Sequence, residues 1–66
     1  MTPRQMGRHL KRLREAKGLS QAALADRARI SVRYVVKLEA GQSDPTLGMV
    51  RRLAKALGVT LVDLVQ

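Results

Sequence analysis

Few side chains in this 66-residue sequence are equipped for covalent chemistry. It has no cysteine and a single histidine, His9, and its five acidic residues, Glu15, Asp26, Glu39, Asp44 and Asp63, are scattered along the chain. Acid–base catalysis and metal ligation both need such groups to converge. No spacing here predicts that, so no catalytic residue, metal site or cofactor is expected, and His9 reads as a surface residue. The spacing that does suggest chemistry is that of Arg33 and Lys37, four residues apart and flanked by Val32 and Val36. On a helix these four side chains share one face. An arginine so presented can grip guanine O6 and N7 with two hydrogen bonds, and a valine can pack on a thymine methyl. An ordinary solvated basic helix face would look the same.

Charge narrows the choice of partner. Thirteen Lys and Arg against five Asp and Glu give a net charge of +8. Residues 1–33 hold nine basic and two acidic side chains, and residues 34–66 hold four and three. A lopsided basic surface points first to nucleic acid and second to an anionic membrane face. The only aromatic residue is Tyr34, which argues against a single-strand reader built on stacked rings. A membrane-surface helix is disfavoured because the first segment lacks bulky apolar anchors.

The composition, 45% hydrophobic and 27% charged, predicts a folded chain. Its length predicts one domain, residues 1–66, able to bury only about 60% of its unfolded surface. Apolar runs such as Ala22–Ala25 are far shorter than the roughly 18 residues that span a bilayer. No secretory leader is recognisable, so a cytoplasmic location is expected.

Five helices must position the residues above, and no period-two strand pattern competes with them. The first is expected over about 3–17, capped by Thr2, opened by Pro3 and stopped by Gly18, with Met6, Leu10, Leu13 and Ala16 inward. Ser20 caps a second over 21–28, where Leu24, Ala25 and Ala28 face inward and the alanines permit close helix approach. Ser31 caps a third over 32–40, with Val35 and Leu38 inward and Gly41 as its stop. The short Arg29-Ile30 connection forces these two helices to cross steeply, as in a helix-turn-helix. Thr46 caps a fourth over 47–57, with Leu47, Val50, Leu53, Ala54 and Leu57 inward, Arg51, Arg52 and Lys55 outward, and Gly58 as the stop. Thr60 and Asp63 form a capping-box pattern opening a last helix over 61–65.

Several spaced motifs carry a resemblance: Gly7 and Arg14, Ser20-Gln21-x-x-Leu24-Ala25, Ile30-Ser31, Glu39-x-Gly41, Pro45-Thr46-Leu47 and Ala56-Leu57-Gly58-Val59. Together they resemble the Cro/C1-type (Xre-family) helix-turn-helix transcriptional regulators over nearly the whole chain. The resemblance implies an all-α, compact five-helix domain of the lambda repressor type that binds double-stranded operator DNA. Val32, Arg33 and Lys37 match positions that touch base edges in relatives, and Val36 lies beside them. Gln21 matches a phosphate-binding residue at a helix amino terminus. Ser20, Ser31 and Tyr34 lie within reach of the backbone, and Gly41, Gln42 and Ser43 match a phosphate-contacting loop. Arg14 and Glu39 match a structural ion pair that ties the first helix to the end of the reading helix.

This sequence departs from the family pattern at two positions. Arg29 stands where the turn usually has glycine, and Ala23 stands where glutamate is common. A non-glycine residue in a left-handed conformation costs roughly 1–2 kcal/mol, so a strained or remodelled turn is expected. Leu61, Val62, Leu64 and Val65 exceed what one inward stripe needs, which predicts a dimer interface. The expected protein is thus a homodimeric regulator, a repressor, encoded by a bacterium, phage or plasmid. A docking module without DNA binding, a restriction-modification controller and the antitoxin partner of a toxin protein are the alternatives.

Overall fold

The computed structural model describes residues 1–66 in full. It contains five α-helices and no strand: α1 (Pro3–Ala16), α2 (Gln21–Ala28), α3 (Val32–Glu39), α4 (Leu47–Leu57) and α5 (Leu61–Val65). All five begin in the same way. The hydroxyls of Thr2, Ser20, Ser31, Thr46 and Thr60 accept a hydrogen bond from the amide three residues on, which satisfies one of the free donors of each helix end. Thr60 and Asp63 form the expected capping box, and Thr2 forms a second with Gln5, which the sequence reading did not anticipate.

The first four helices also end alike. Gly18, Arg29, Gly41 and Gly58 all have positive φ, at 69°, 58°, 74° and 70°. Each donates its amide to the carbonyl three residues back, and the next residue donates to the carbonyl five residues back, for example Ile30 to Ala25 at 3.0 Å. This pair of bonds satisfies the last carbonyls of a helix and turns the chain sharply. In α1, α2 and α4 the residue that follows is apolar, namely Leu19, Ile30 and Val59, and each packs on the core. The departure at Arg29 therefore leaves the turn in its left-handed form, as the only non-glycine residue with positive φ. Lys17 and Ala40, expected as last helical residues, lie just outside α1 and α3.

Twelve residues form one core: Met6 and Leu10 from α1, Leu24, Ala25 and Ala28 from α2, Val35 and Leu38 from α3, Val50, Leu53, Ala54 and Leu57 from α4, and Leu64 from α5. Around it α1 packs on α3 and α5, α2 on α3 and α4, and α4 on α5. Gly7 lets α1 approach the end of α3. A Cβ there would meet the Leu38 carbonyl oxygen and lie 2.6 Å from that of Glu39.

Three sequence expectations need correction. Ala16 is exposed, because the buried face of α1 is centred on Leu10 and turned toward Gly7 and Arg14, which are both buried. Leu47 is 57% exposed, since the inward stripe of α4 starts one turn later, at Val50. Leu64, assigned to a dimer interface, is fully buried within the single chain. No helix is long and apolar enough to cross a membrane.

Candidate nucleic-acid interface

The candidate reading face is the outer side of α3, set by the amphipathic pattern of that helix. Val35 and Leu38 are buried against α1 and α2, so the opposite side of an eight-residue helix must face solvent. Val32, Arg33, Val36 and Lys37 all lie on that exposed side. The two valines are each 44% exposed, and they flank two cations one turn apart. No salt bridge ties Arg33 or Lys37 back to the protein, so both remain available to a partner.

This face is braced from behind. Arg14 of α1 reaches the end of α3 and holds the Glu39 carboxylate with both arms of its fork, Nε donating to Oε2 at 2.6 Å and Nη2 to Oε1 at 3.0 Å. Its remaining arm, Nη1, donates to the Leu19 carbonyl at 2.8 Å. The side chains are only 10% and 5% exposed. Such a desolvated pair persists only when its spare donors and acceptors are also satisfied, and no buried side-chain polar atom lacks a partner. The hydrogen bond to Glu39 raises the Arg14 pKa above its ordinary value, against the lowering that burial brings. Gln21 joins the cluster by donating Nε2 to Glu39 Oε1 at 3.1 Å. One carboxylate thereby fixes α1, the start of α2 and the end of α3 relative to one another.

The remaining site residues surround the reading face. Ser20 and Gln21 lie at the amino end of α2, and Ser31 caps α3 while Tyr34 sits half-buried on its first turn. Ser20 and Ser31 are exposed, and each already accepts a capping amide at 3.0 Å. Their hydroxyl hydrogens remain free to donate. Gly41, Gln42 and Ser43 follow the Ala40 cap of α3, and the Arg4 backbone lies against Gly41. Of the apolar residues of α5, Val62 and Val65 are 58% and 40% exposed and Leu61 is half-buried on the core. With Leu64 in the core, only that narrower surface is open to another molecule.

Three contacts escaped the sequence reading, the first being that of Gln21 with Glu39. The Leu19 carbonyl that receives Arg14 is a backbone atom and leaves no trace in residue type. Arg52, expected simply to face outward, instead donates Nη2 to the carbonyls of Ala28 at 2.7 Å and Arg29 at 3.2 Å. It thus ties α4 to the helix-turn-helix corner.

Comparison with known proteins agrees with this geometry. A model of the helix-turn-helix family matches residues 10–64. The chain is 42% identical over 60 residues to the HTH-type transcriptional regulator y4dJ of Sinorhizobium fredii, covering 91% of this chain and 78% of that protein. It is 39% identical over 57 residues to the HTH-type transcriptional regulator DdrOP3 of Deinococcus deserti, covering 86% of this chain and 44% of the relative. Among solved structures, the restriction-modification controller protein C.AhdI from Aeromonas hydrophila superposes with a TM-score of 0.91 at 37% identity, over 94% of this chain and 90% of that one. With these matches and a braced, outward-facing α3, the chain belongs to the Cro/C1-type (Xre) helix-turn-helix family of transcriptional regulators, which are not enzymes.

Proposed function

We propose that this regulator binds double-stranded operator DNA in sequence-specific fashion as a homodimer in the bacterial cytoplasm, each copy placing α3 in the major groove. The observation that carries this reading is the outer face of α3, where Arg33 and Lys37 stand between two half-exposed valines while the inner face is locked in the core. Arg33 and Lys37 read base edges, and Val32 and Val36 pack on thymine methyls. Ser20, Gln21, Ser31, Tyr34 and the Gly41–Ser43 loop grip the phosphates on either side, which sets register without reading sequence. A dimer so placed acts as a repressor by occupying the promoter DNA. The likeness to C.AhdI favours a controller of restriction-modification genes among the possible settings.

Selection of binding sites from a random duplex pool tests the reading, and a near-palindromic consensus is the expected result. For about five neutralised phosphates, log K should fall against log salt with a slope near −4 to −5. A pool that never converges, with binding indifferent to salt, would leave protein docking or a toxin partner as the better account.

A further inference from the structure

Four cations converge away from the α3 stripe, where the end of α2 meets α4. Arg27, Arg29, Arg52 and Lys55 line a concave pocket of about 560 Å³ whose only other lining residues are Ala28 and Ala56. The one salt bridge in the chain joins Arg14 to Glu39, so none of the four is held in a direct ion pair. Like charges gathered in a concavity raise the local positive potential and attract a counter-ion.

The pocket is also partly fixed in shape. Arg52 is anchored by its bonds to the Ala28 and Arg29 carbonyls, which leaves its other guanidinium donors free. The Arg29 backbone is set by the left-handed turn, with its carbonyl bonded to Arg52, while its side chain is exposed. The depression is wide open to solvent and its four cations are exposed, so a ligand there would be held by its charge rather than by enclosure. Its only hydrophobic residues are Ala28 and Ala56, and every charged group that lines it is a cation. Three guanidinium forks and an ammonium match closely spaced phosphate oxygens.

We infer that this pocket binds a compact polyanion carrying two or three linked phosphates, such as the di- or triphosphate group of a nucleotide. Adjacent phosphates of a DNA strand share that chemistry, and the experiment separates the two sources. Inorganic tripolyphosphate is titrated into the DNA-free protein at physiological salt, with binding followed by calorimetry and by amide chemical shifts. One saturable site is expected, with shifts concentrated at residues 27–29 and 52–56. Arg29→Gly and Lys55→Gln should each weaken it by about tenfold, the scale of one lost charge-assisted hydrogen bond. Lys11→Gln, which removes the same charge from the exposed side of α1, should leave affinity within about twofold. Both pocket variants keep the fold accessible, because glycine suits the left-handed turn and Lys55 is exposed. Equal weakening by Lys11→Gln, or shifts spread over every basic surface, would mean general attraction and overturn the inference. It is likewise overturned if tripolyphosphate does not saturate while the two pocket variants weaken binding to random duplex more than Lys11→Gln does. In that case the pocket holds DNA backbone phosphates.

Discussion

At the scale of single residues, Glu39 carries the greatest consequence, because three side-chain donors converge on its carboxylate. Removing it strands the Arg14 guanidinium in a nearly dry site. Glu39→Ala should therefore cost about 3–5 kcal/mol, where an exposed pair would cost about 0–1. A chain of this length has only about 3–10 kcal/mol of total stability, so urea titration should find the variant marginal or unfolded. Replacing both partners, Arg14→Met with Glu39→Leu, should cost less than Glu39→Ala alone, because no charge is left unpaired. A double variant as unstable as the single one would contradict this account. On the outer face the roles separate. Arg33→Ala and Lys37→Ala should each cost about 1–3 kcal/mol on the selected site and relax base preference. Gln21→Ala should weaken all duplexes alike, and it should also lower stability by about 0.5–1.5 kcal/mol because its amide serves the Glu39 cluster. Equal loss on selected and random DNA for all three would refute the division.

At the scale of elements, the sequence was most informative where one residue type performs one local task. Five hydroxyl caps and three glycine stops mark the helix ends within a residue, because capping and left-handed backbone are decided within a few positions of chain. The inner and outer faces of α3 were legible for a related reason: two buried and two half-exposed apolar positions define the phase of a helix. The phase of α5 was not. Five residues at about 100° each pass around the whole helix, so four apolar side chains do not reveal which one faces the core, and Leu64 was misplaced. Arg52 was missed because its acceptors lie 23 and 24 residues away in sequence. Arg29 offers a direct test of the local rules. It adopts the conformation that three glycines adopt elsewhere, so Arg29→Gly should relieve left-handed strain, offset in part by glycine's chain entropy, for a net gain of about 1 kcal/mol in thermal or urea melts. Unchanged or lowered stability would mean that the Arg29 side chain itself contributes to the corner. At the other end of the chain, the Thr60 amide donates to Asp63 Oδ2 at 3.0 Å and holds the Asp63 carboxyl below its ordinary value. A lowered carboxyl pKa stabilises the fold above the unfolded value of about 3.9 and loses that contribution as pH falls through the folded one. Amide shifts of α5 should therefore report fraying below about pH 4. In Asp63→Ala that titration should be gone, with the start of α5 weakened at every pH but still capped by the Thr60 hydroxyl.

At the scale of the whole molecule, the homodimer proposed above would use the same braced unit twice to select a site. One helix-turn-helix reads only a few base pairs, and pairing two half-sites is the usual route to useful specificity. The fold leaves room for this, because α5 packs on α1 and α4 while the outer face of α3 stays open. With Leu64 committed to the core, the exposed apolar surface of α5 reduces to Val62 and Val65, backed by half-buried Leu61. A standard interface buries about 800 Å² per partner, close to a fifth of the 4235 Å² that the chain exposes. Two valines fall well short of that area. The free dimer should accordingly be weak, with DNA completing the assembly by holding both copies in register. Val62→Glu and Val65→Glu alter exposed side chains, so each should leave a folded monomer with normal melting behaviour. Each should also greatly reduce operator affinity, while affinity for a single half-site is retained. The selected site should have half-sites about 10 base pairs apart, one helical turn or about 34 Å. That distance is within reach of two touching copies whose longest dimension is 25 Å. Sedimentation of the protein bound to its selected site decides the matter: one copy per site, together with a non-palindromic selected sequence, would mean that α5 is not the dimer surface and that one copy reads DNA alone.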